Sequence, residues 1–576
     1  MSIDGGGRAG RPEQRLSFAR GIASVPSRDG SATACILGAT GAEAEAEAAR
    51  LAEDYVNQDS IVAARQPAGV VLLDHSAGTV QVVAAPIGLM QIFWTAANGH
   101  LSIASDPKQL EGFAGHPAPL RPESLYQYVY FHMLPSPAAI FAGVEKLDGG
   151  HQLFWDGGEA THSRYWRPRF SNEPSRSEPE CRRELLATLQ AAVTRSIGSN
   201  EHVGAFLSGG LDSSTVAGMA ARVRPAIPTI SMGFDAAGYD EIEYARIASR
   251  HFKTSPLEYY VTPDDVLRTL PAIVTAFPEP FGNSSAAAAY HCARIAREHG
   301  IDLLLAGDGG DELFGGNERY AKQMVFERYR AVPEAVRHAL VEPAVSLAGR
   351  VTQRFPVGKA ISYIEQANVS LPDRLQAYNF LHRHEPTEVF SPELLEQVDT
   401  AGPLRLLRAE YAACDADHSI DRMLFLDWKF TLHDNDLVKV NSMCKLAGVS
   451  VAYPMLDPDV VEFSMSLPAN WKVHDGELRW FYKRAMQGFL PQQIIDKTKH
   501  GFGLPFGIWT RTHEGLRRLS EESLQSLSTR GYFRPAFLRD ALRLHREGHA
   551  SYYGELVWIL MVLELWLQVH QPNARL

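Results

Sequence analysis

The sequence is poor in the features that mark secreted, metal-stapled or membrane-spanning chains. Its 576 residues include five cysteines, Cys35, Cys181, Cys292, Cys414 and Cys444. They are odd in number and far apart, and no C-x-x-C pair occurs, which excludes a disulfide framework and a zinc site of ordinary spacing. Reduced thiols of the cytoplasmic kind are the expectation. The opening MSIDGGGRAGRPEQR is polar and lacks the apolar core of a secretory signal. The most apolar late stretch, 556–569, is interrupted by Glu564 and is too short to span a bilayer. It reads instead as a buried helix, with Trp558, Val562 and Trp566 at helical spacing. Positive charge is in deficit: 56 Lys and Arg stand against 67 Asp and Glu, for a net charge of −11. With no basic stripe, nucleic acid is a poor partner. The chain therefore reads as cytoplasmic, with neither membrane nor nucleic acid to bind.

What is present is ordinary globular material, 45% hydrophobic and 21% charged. The length suggests roughly two to four domains. Residues 1–30 read as a flexible polar tail. Residues 31–166 are β-rich, with short runs at 70–73, 80–84, 92–94 and 101–104 separated by turn residues. The polar stretch 167–178 (RPRFSNEPSRSE) reads as a linker. From 179 to 576 the pattern changes: helix at 180–196, strand at 203–207, helix at 215–222, strand at 227–233, helix at 241–252, strand at 301–306, then mostly helix. Strands alternating with helices predict an α/β unit on a parallel sheet covered on both faces.

Two Gly-rich segments follow strands of this unit. The first is Ser208-Gly209-Gly210-Leu211-Asp212-Ser213-Ser214. Glycines let backbone approach an anion, and the following helix offers free N–H groups and a positive dipole end. Three hydroxyls add donors. The segment lacks the lysine of a G-x-x-x-x-G-K-[ST] loop, so it suits a pyrophosphate that leaves intact rather than a transferred terminal phosphate. Asp212 is the natural ligand for the Mg²⁺ on those phosphates. The second segment runs Gly307-Asp308-Gly309-Gly310-Asp311-Glu312-Leu313-Phe314-Gly315-Gly316. Asp311 is the candidate second metal ligand, and Asp308 is placed to orient or deprotonate an attacking amine.

Together the two segments resemble the asparagine synthetase superfamily, whose synthetase domain is a PP-loop ATP pyrophosphatase. Further stretches resemble its elements: TISMGF at 229–234, Tyr239-Asp240-Glu241, Glu279-Pro280, Pro454 with Leu456 and Asp457, and Lys499 in a K-x-G-F segment. The resemblance implies that Ser231, Gly233, Gly307 and Gly309 join residues 208–214 around ATP. It also implies that Lys499 is a catalytic cation stabilising charge at the α-phosphorus and the adenylate. Residues up to about 166 resemble the family's N-terminal-nucleophile glutaminase, through Ile103-Ala104-Ser105-Asp106, Lys108, the segment 147–151 and Tyr165-Trp166. The implied function is an ATP-dependent carbon–nitrogen ligase of asparagine synthase type. It adenylates a carboxylate with release of pyrophosphate, and an amine or ammonia then displaces AMP. A homodimer is compatible with the resemblance.

Two departures qualify the substrate. The glutaminase needs a cysteine at the mature N-terminus, but Ser2 follows Met1 and Cys35 has no route to a free amine. No glutaminase nucleophile is assigned, and the domain reads as inactive. The family's E-x-R before P-F-L-D is replaced by Ser450 and Ala452, with Lys439 and Lys445 as partial compensation. That change points away from free aspartate, toward a neutral or larger acid. The alternatives are a lactam- or macrolactam-forming cyclase, an amidotransferase acting on a peptide or sugar acid, tRNA thiolation, and a non-catalytic scaffold.

Overall fold

The computed structural model describes residues 2–4, 15–17, 23–37, 42–58, 69–97, 99–110, 119–171, 176–236, 239–351, 357–377, 379–497, 503–548 and 550–576. The N-terminal part is built on two antiparallel sheets. One has six strands in the order Thr161–Arg164, His151–Trp155, Thr79–Val83, Val70–Asp74, Ala32–Ile36, Ala23–Pro26. The other has five: Arg15–Ser17, Ser2–Asp4, His100–Ala104, Ile92–Ala97, Glu145–Leu147.

The run Val70-Val71-Leu72-Leu73 is apolar throughout because both of its faces are covered. Val71 and Leu73 join Ile92, Leu101 and Ile103 of the other sheet in one core. Val70 and Leu72 pack with Ala48, Leu51 and Ala52 of the helix Ala42–Gln58. The strand period of two thus feeds two separate cores.

Within residues 1–30, expected to be a flexible tail, the described segments 2–4, 15–17 and 23–26 are strands, and the rest up to residue 22 lies outside the described residues. Ser2–Asp4 pairs with Arg15–Ser17 on one side and with 100–102 on the other, and Ala23–Pro26 pairs with Ala32–Ile36. A strand needs only a neighbour's free edge to satisfy its backbone, so polar, Gly-rich composition hid these segments.

The second part carries a five-stranded sheet in the order Ser255–Val261, Pro228–Phe234, Val203–Phe206, Leu303–Leu305, Ser450–Ala452. Every pair is parallel. In chain order this is 3-2-1-4-5, a doubly wound arrangement. The order reverses between Val203–Phe206 and Leu303–Leu305, the two strands that run into the Gly-rich segments. A crevice opens at such a switch point beyond the strand C-termini. The strands Ser255–Val261 and Ser450–Ala452 escaped the sequence reading. The first is largely exposed on the sheet edge and the second is three residues long.

The apolar C-terminal helix runs Ala550–His570. Its 552–570 portion is long and apolar enough to cross a membrane by length and composition, yet most of it is buried within the fold. Trp566 Nε1 donates to the Phe277 carbonyl at 3.1 Å. Glu564, fully buried, accepts from Arg530 Nε at 2.6 Å and from Ser526 Oγ at 2.6 Å. A carboxylate survives in this apolar helix because its charge and lone pairs are met.

The two parts meet along a buried polar seam. Lys146 Nζ pairs with Glu279 Oε2 at 2.7 Å, and Glu279 Oε1 accepts from the Ile140 N–H at 2.6 Å. Lys429 Nζ pairs with Asp148 and donates to Ser136 Oγ at 3.2 Å. Ser136 donates to Asp434 from its N–H at 3.1 Å and from its hydroxyl at 2.8 Å. His433 Nδ1 lies 2.7 Å from the Gly88 carbonyl. Asp148, His433 and Asp434 cluster as metal ligands do, but Lys429 already supplies their positive charge.

Candidate active site

The helix Leu211–Val223 starts at Gly210 with no side-chain cap, so its first N–H groups face the crevice unclaimed by any cap. Ser208 and Ser213 brace the turn before it: their hydroxyls lie 3.0 Å apart, and Ser213 Oγ accepts from the Ser208 N–H at 3.2 Å. The second segment closes on the first. A Cβ at Gly307 would sit 2.8 Å from the Ser213 nitrogen, so only glycine lets the two loops touch. Between them lies a cleft of about 690 Å³, within the usual size of small-molecule sites.

Asp212 and Asp311 converge on one guanidinium. Arg479 donates to Asp212 through Nη1 at 2.9 Å and Nη2 at 2.7 Å, and Nη2 also reaches Asp311. Side chains at Gly310 and Gly316 would collide with these carboxylates, so the two glycines make their room. Two carboxylates beside a phosphate cradle are the hard oxygen set with which Mg²⁺ is held on nucleotide phosphates, so the donor set fits that ion once Arg479, which bridges them here, gives way. Arg479 sits in the left-handed region at φ 56°, and its Nε is buried without a hydrogen-bond partner. It carried no motif signal and was missed by the sequence reading.

Asp308 lines the cleft floor. Burial, with Asp436 and Asp212 nearby, pushes its carboxyl up to about 6, and Lys439 opposes the shift. Lys439 pairs with Asp436 at 2.6 Å. Its burial pulls the ammonium down, but Asp436 and Asp308 outweigh that and hold it above the ordinary lysine value. Lys497 closes the other side, 2.8 Å from Glu241 Oε2 and over the Tyr244 ring. Lys483 lines the cleft as well. The only hint of Glu241 in the sequence was the Tyr239-Asp240-Glu241 stretch.

Of the residues expected around ATP, the cleft walls include Ser208, Gly210, Leu211, Asp212, Ser213, Gly307, Asp308 and Asp311. Five others stand elsewhere. Ser214 is fully buried, its hydroxyl without a partner, because helix periodicity turns it inward. Ser231 donates to the Leu207 carbonyl at 2.7 Å on the strand face opposite Ile230 and Met232, which do line the cleft. Gly233 lies under the Tyr260 ring. Gly309, at φ 97°, packs on Leu456. Gly209, at φ 70°, lets the turn pass against Tyr244 and Ala245. Lys499 falls outside the described residues.

The replaced E-x-R pair also stands apart. Ser450 is solvent-exposed and Ala452 sits on the edge strand, and neither lines the cleft. Acceptor size therefore cannot be read from that pair. Lys445 is exposed too, which leaves Lys439 as the cation of the two that faces the chemistry. Asp457 caps the helix Pro458–Met465 and pairs with Arg195 at 2.6 Å, a structural task.

Comparison with known proteins agrees with this geometry. The asparagine synthase family model matches residues 184–568, and the glutamine amidotransferase domain model matches 68–166. Asparagine synthetase [glutamine-hydrolyzing] 1 of Bacillus subtilis (strain 168) is 24% identical over 490 residues, covering 84% of this chain and 74% of that protein. Asparagine synthetase [glutamine-hydrolyzing] 3 of the same organism is 22% identical over 379 residues, covering 62% of this chain and 54% of its own. Among solved structures, NMN synthetase from Francisella tularensis matches at 13% identity and a TM-score of 0.20, over 45% of this chain and 94% of that one. With the family model spanning most of the chain and both Gly-rich loops inside it, the chain belongs to the asparagine synthase family of ATP-dependent amide ligases.

Proposed function

We propose that the chain activates a carboxylate with ATP as an acyl-adenylate, releases pyrophosphate, and passes the acyl group to ammonia or an amine with loss of AMP. The observation that carries this reading is the convergence of the two Gly-rich loops on one cleft at the switch point of the sheet, with Asp212 and Asp311 facing each other across Arg479.

In the first step a carboxylate oxygen attacks the α-phosphorus, and the bond to the bridging oxygen of the leaving pyrophosphate breaks. The helix N-terminus at Gly210, the hydroxyls of Ser208 and Ser213, and the cations Arg479, Lys483 and Lys497 surround the place where that charge accumulates. Asp212 and Asp311 would hold Mg²⁺, which when bound would supply charge neutralisation on the phosphates. In the second step an amine nitrogen attacks the acyl carbon and AMP leaves with the C–O electron pair. Asp308 takes the proton the nitrogen sheds, a task suited to a carboxylate titrating near 6. The family resemblance gives Lys499 the role of the cation that stabilises charge developing at the α-phosphorus.

The amine is free ammonia or an amine of the substrate. Cys35 is fully buried, with its thiol pushed up by that burial, which suits a core residue rather than a nucleophile. Incubating the full chain with Mg-ATP, L-aspartate and ammonium, and quantifying AMP and pyrophosphate, tests the proposal. Acid-dependent formation of both products, abolished in Asp212→Asn and Lys499→Ala, is expected. Release of ADP and orthophosphate would overturn the adenylate. AMP formation only with larger acids would keep the chemistry and remove free aspartate.

A further inference from the structure

A second cavity adjoins the nucleotide cleft. It holds about 240 Å³ and lies where the end of the helix Pro122–Phe131 meets the π-helical segment Trp428–Asp436 and the helix Ala550–His570. Thr431 lines both spaces. Arg319 lines the cavity, while Asn317 and Glu318 just before it line the cleft. Asn435 of the cavity accepts from Asn283 of the cleft at 3.0 Å. Two hydrogen bonds link residues of the two spaces, Arg319 Nη2 to Thr431 Oγ1 at 3.1 Å and Asn283 to Asn435.

The chemistry of the two spaces differs. The cleft carries the cations Arg479, Lys483, Lys497 and Lys439 among a larger number of carboxylates, Asp212, Asp308 and Asp311 included. The cavity wall is mixed: the rings of Tyr130, Phe131 and Phe430 stand beside Asp427, Asn435 and the His132–Glu555 pair. Phe131 and Phe430 stack at 5.3 Å and 16°, and Tyr130 stands edge-on to Phe131 at 4.7 Å. Its one guanidinium, Arg319, is already neutralised by Asp427, so no second anion is called for. Arg319 Nε, however, is buried with no hydrogen-bond partner, a donor lacking an oxygen. The volume is below that of a site for a whole drug-sized ligand and suits one ring-bearing group.

We propose that this cavity receives the tail of the acceptor acid, and that the acceptor is a carboxylic acid bearing an aromatic ring and an oxygen acceptor on the side remote from the reacting carboxylate. The inference rests on the adenylation reading of the neighbouring cleft. The ring lies among Phe131, Phe430 and Tyr130, an acyl oxygen accepts from Arg319, and the carboxylate reaches the α-phosphate past Thr431.

The test uses acids with one common reacting group: L-aspartate, N-acetyl-L-aspartate and N-benzoyl-L-aspartate, with D-glucuronate as a sugar acid. Acid-dependent pyrophosphate release is measured with the full chain, and N-benzoyl-L-aspartate is also titrated calorimetrically without ATP. The expected KM for the benzoyl acid is roughly tenfold or more below that for the acetyl acid, the scale of burying one ring. Leu375→Trp, which fills the cavity from its wall, raises that KM about as much while the KM for ATP stays put. Equal KM values for the three aspartates, or an unchanged benzoyl KM in the Leu375→Trp variant, would overturn the tail pocket and leave the adenylation reading intact. Preference for D-glucuronate would overturn the ring. If no acid supports pyrophosphate release, the adenylation reading fails. Calorimetric binding of the benzoyl acid that Leu375→Trp abolishes still upholds the pocket, and absence of that binding removes it.

Discussion

The seam between the two parts and the nucleotide cleft are both rich in buried charge, and they treat it in opposite ways. In the seam Lys429 sits on Asp148 and near Asp434, Lys146 sits on Glu279, and Ser136 and the Ile140 N–H fill remaining lone pairs. In the cleft Arg479 Nε and Glu241 Oε1 are buried without partners, and Asp308 is driven up to about 6. The seam's hydrogen bonding is closed within the chain. The cleft's is open, and a phosphate or an amine would complete it. Paired buried charge holds parts together, whereas under-paired charge marks where a ligand is awaited.

The sharpest way to break this contrast is Asp308→Asn. Amide transfer is expected to fall about 10²–10⁴-fold, the range for losing a general base, with little change in melting temperature. Single-turnover measurement of amide product, set beside thermal melting, checks it. A variant that unfolds instead would make Asp308 structural, like the seam carboxylates.

Lys429→Met is the mirror experiment. It leaves Asp148 buried without its cation, and breaking such a pair costs about 3–5 kcal/mol. Thermal or urea melting reads the loss. The pair also sets a pH dependence. Against its burial, Lys429 and Ser136 hold Asp148 below the usual carboxylate range. A depressed carboxylate contributes stability above its unfolded pKa, and that stability is lost as pH falls below the unfolded value. The wild-type chain is therefore expected to lose the Asp148–Lys429 pair's contribution in acid, and Lys429→Met to have little of it left to lose.

A smaller effect separates the two regions by pH. Asp308 moves the other way from Asp148, upward, so its base form appears only as pH rises through about 6. Counted on unprotonated amine, kcat/KM is expected to fall about tenfold per unit below that value, and to be flat in Asp308→Asn. A wild-type profile flat down to pH 4 would mean that the proton leaves by another route.

How far the sequence reaches follows the same division. Strands in the middle of the sheet, the two Gly-rich loops, Asp212, Asp308 and Asp311 were legible because glycine spacing and strand–turn–helix order are local signals. Arg479, Lys497 and Asp436 were not, because they reach the cleft from elements far along the chain with no local pattern. The strands within 1–30 were hidden by polar composition, and the exposed Ser450 was given a role in the acceptor site that its position does not support.

Ser214 is the finest probe of the limit. As sequence it is the seventh residue of a phosphate-binding run, and a hydroxyl there reads as one more donor. As structure it is turned inward by the helix, fully buried, with no partner for its oxygen. An unpaired buried hydroxyl costs stability, so Ser214→Ala is expected to melt at the same temperature or slightly higher, a gain on the order of 1 kcal/mol or less. Its KM for ATP should not move. Ser213→Ala, one residue earlier and on the cleft wall, should raise that KM severalfold. Parallel ATP titrations of the two variants decide the matter. If Ser214→Ala weakens ATP as Ser213→Ala does, the helix start rearranges on binding and turns the hydroxyl outward. The orphaned oxygen would then belong with Arg479 Nε, as a group kept unpaired for the nucleotide.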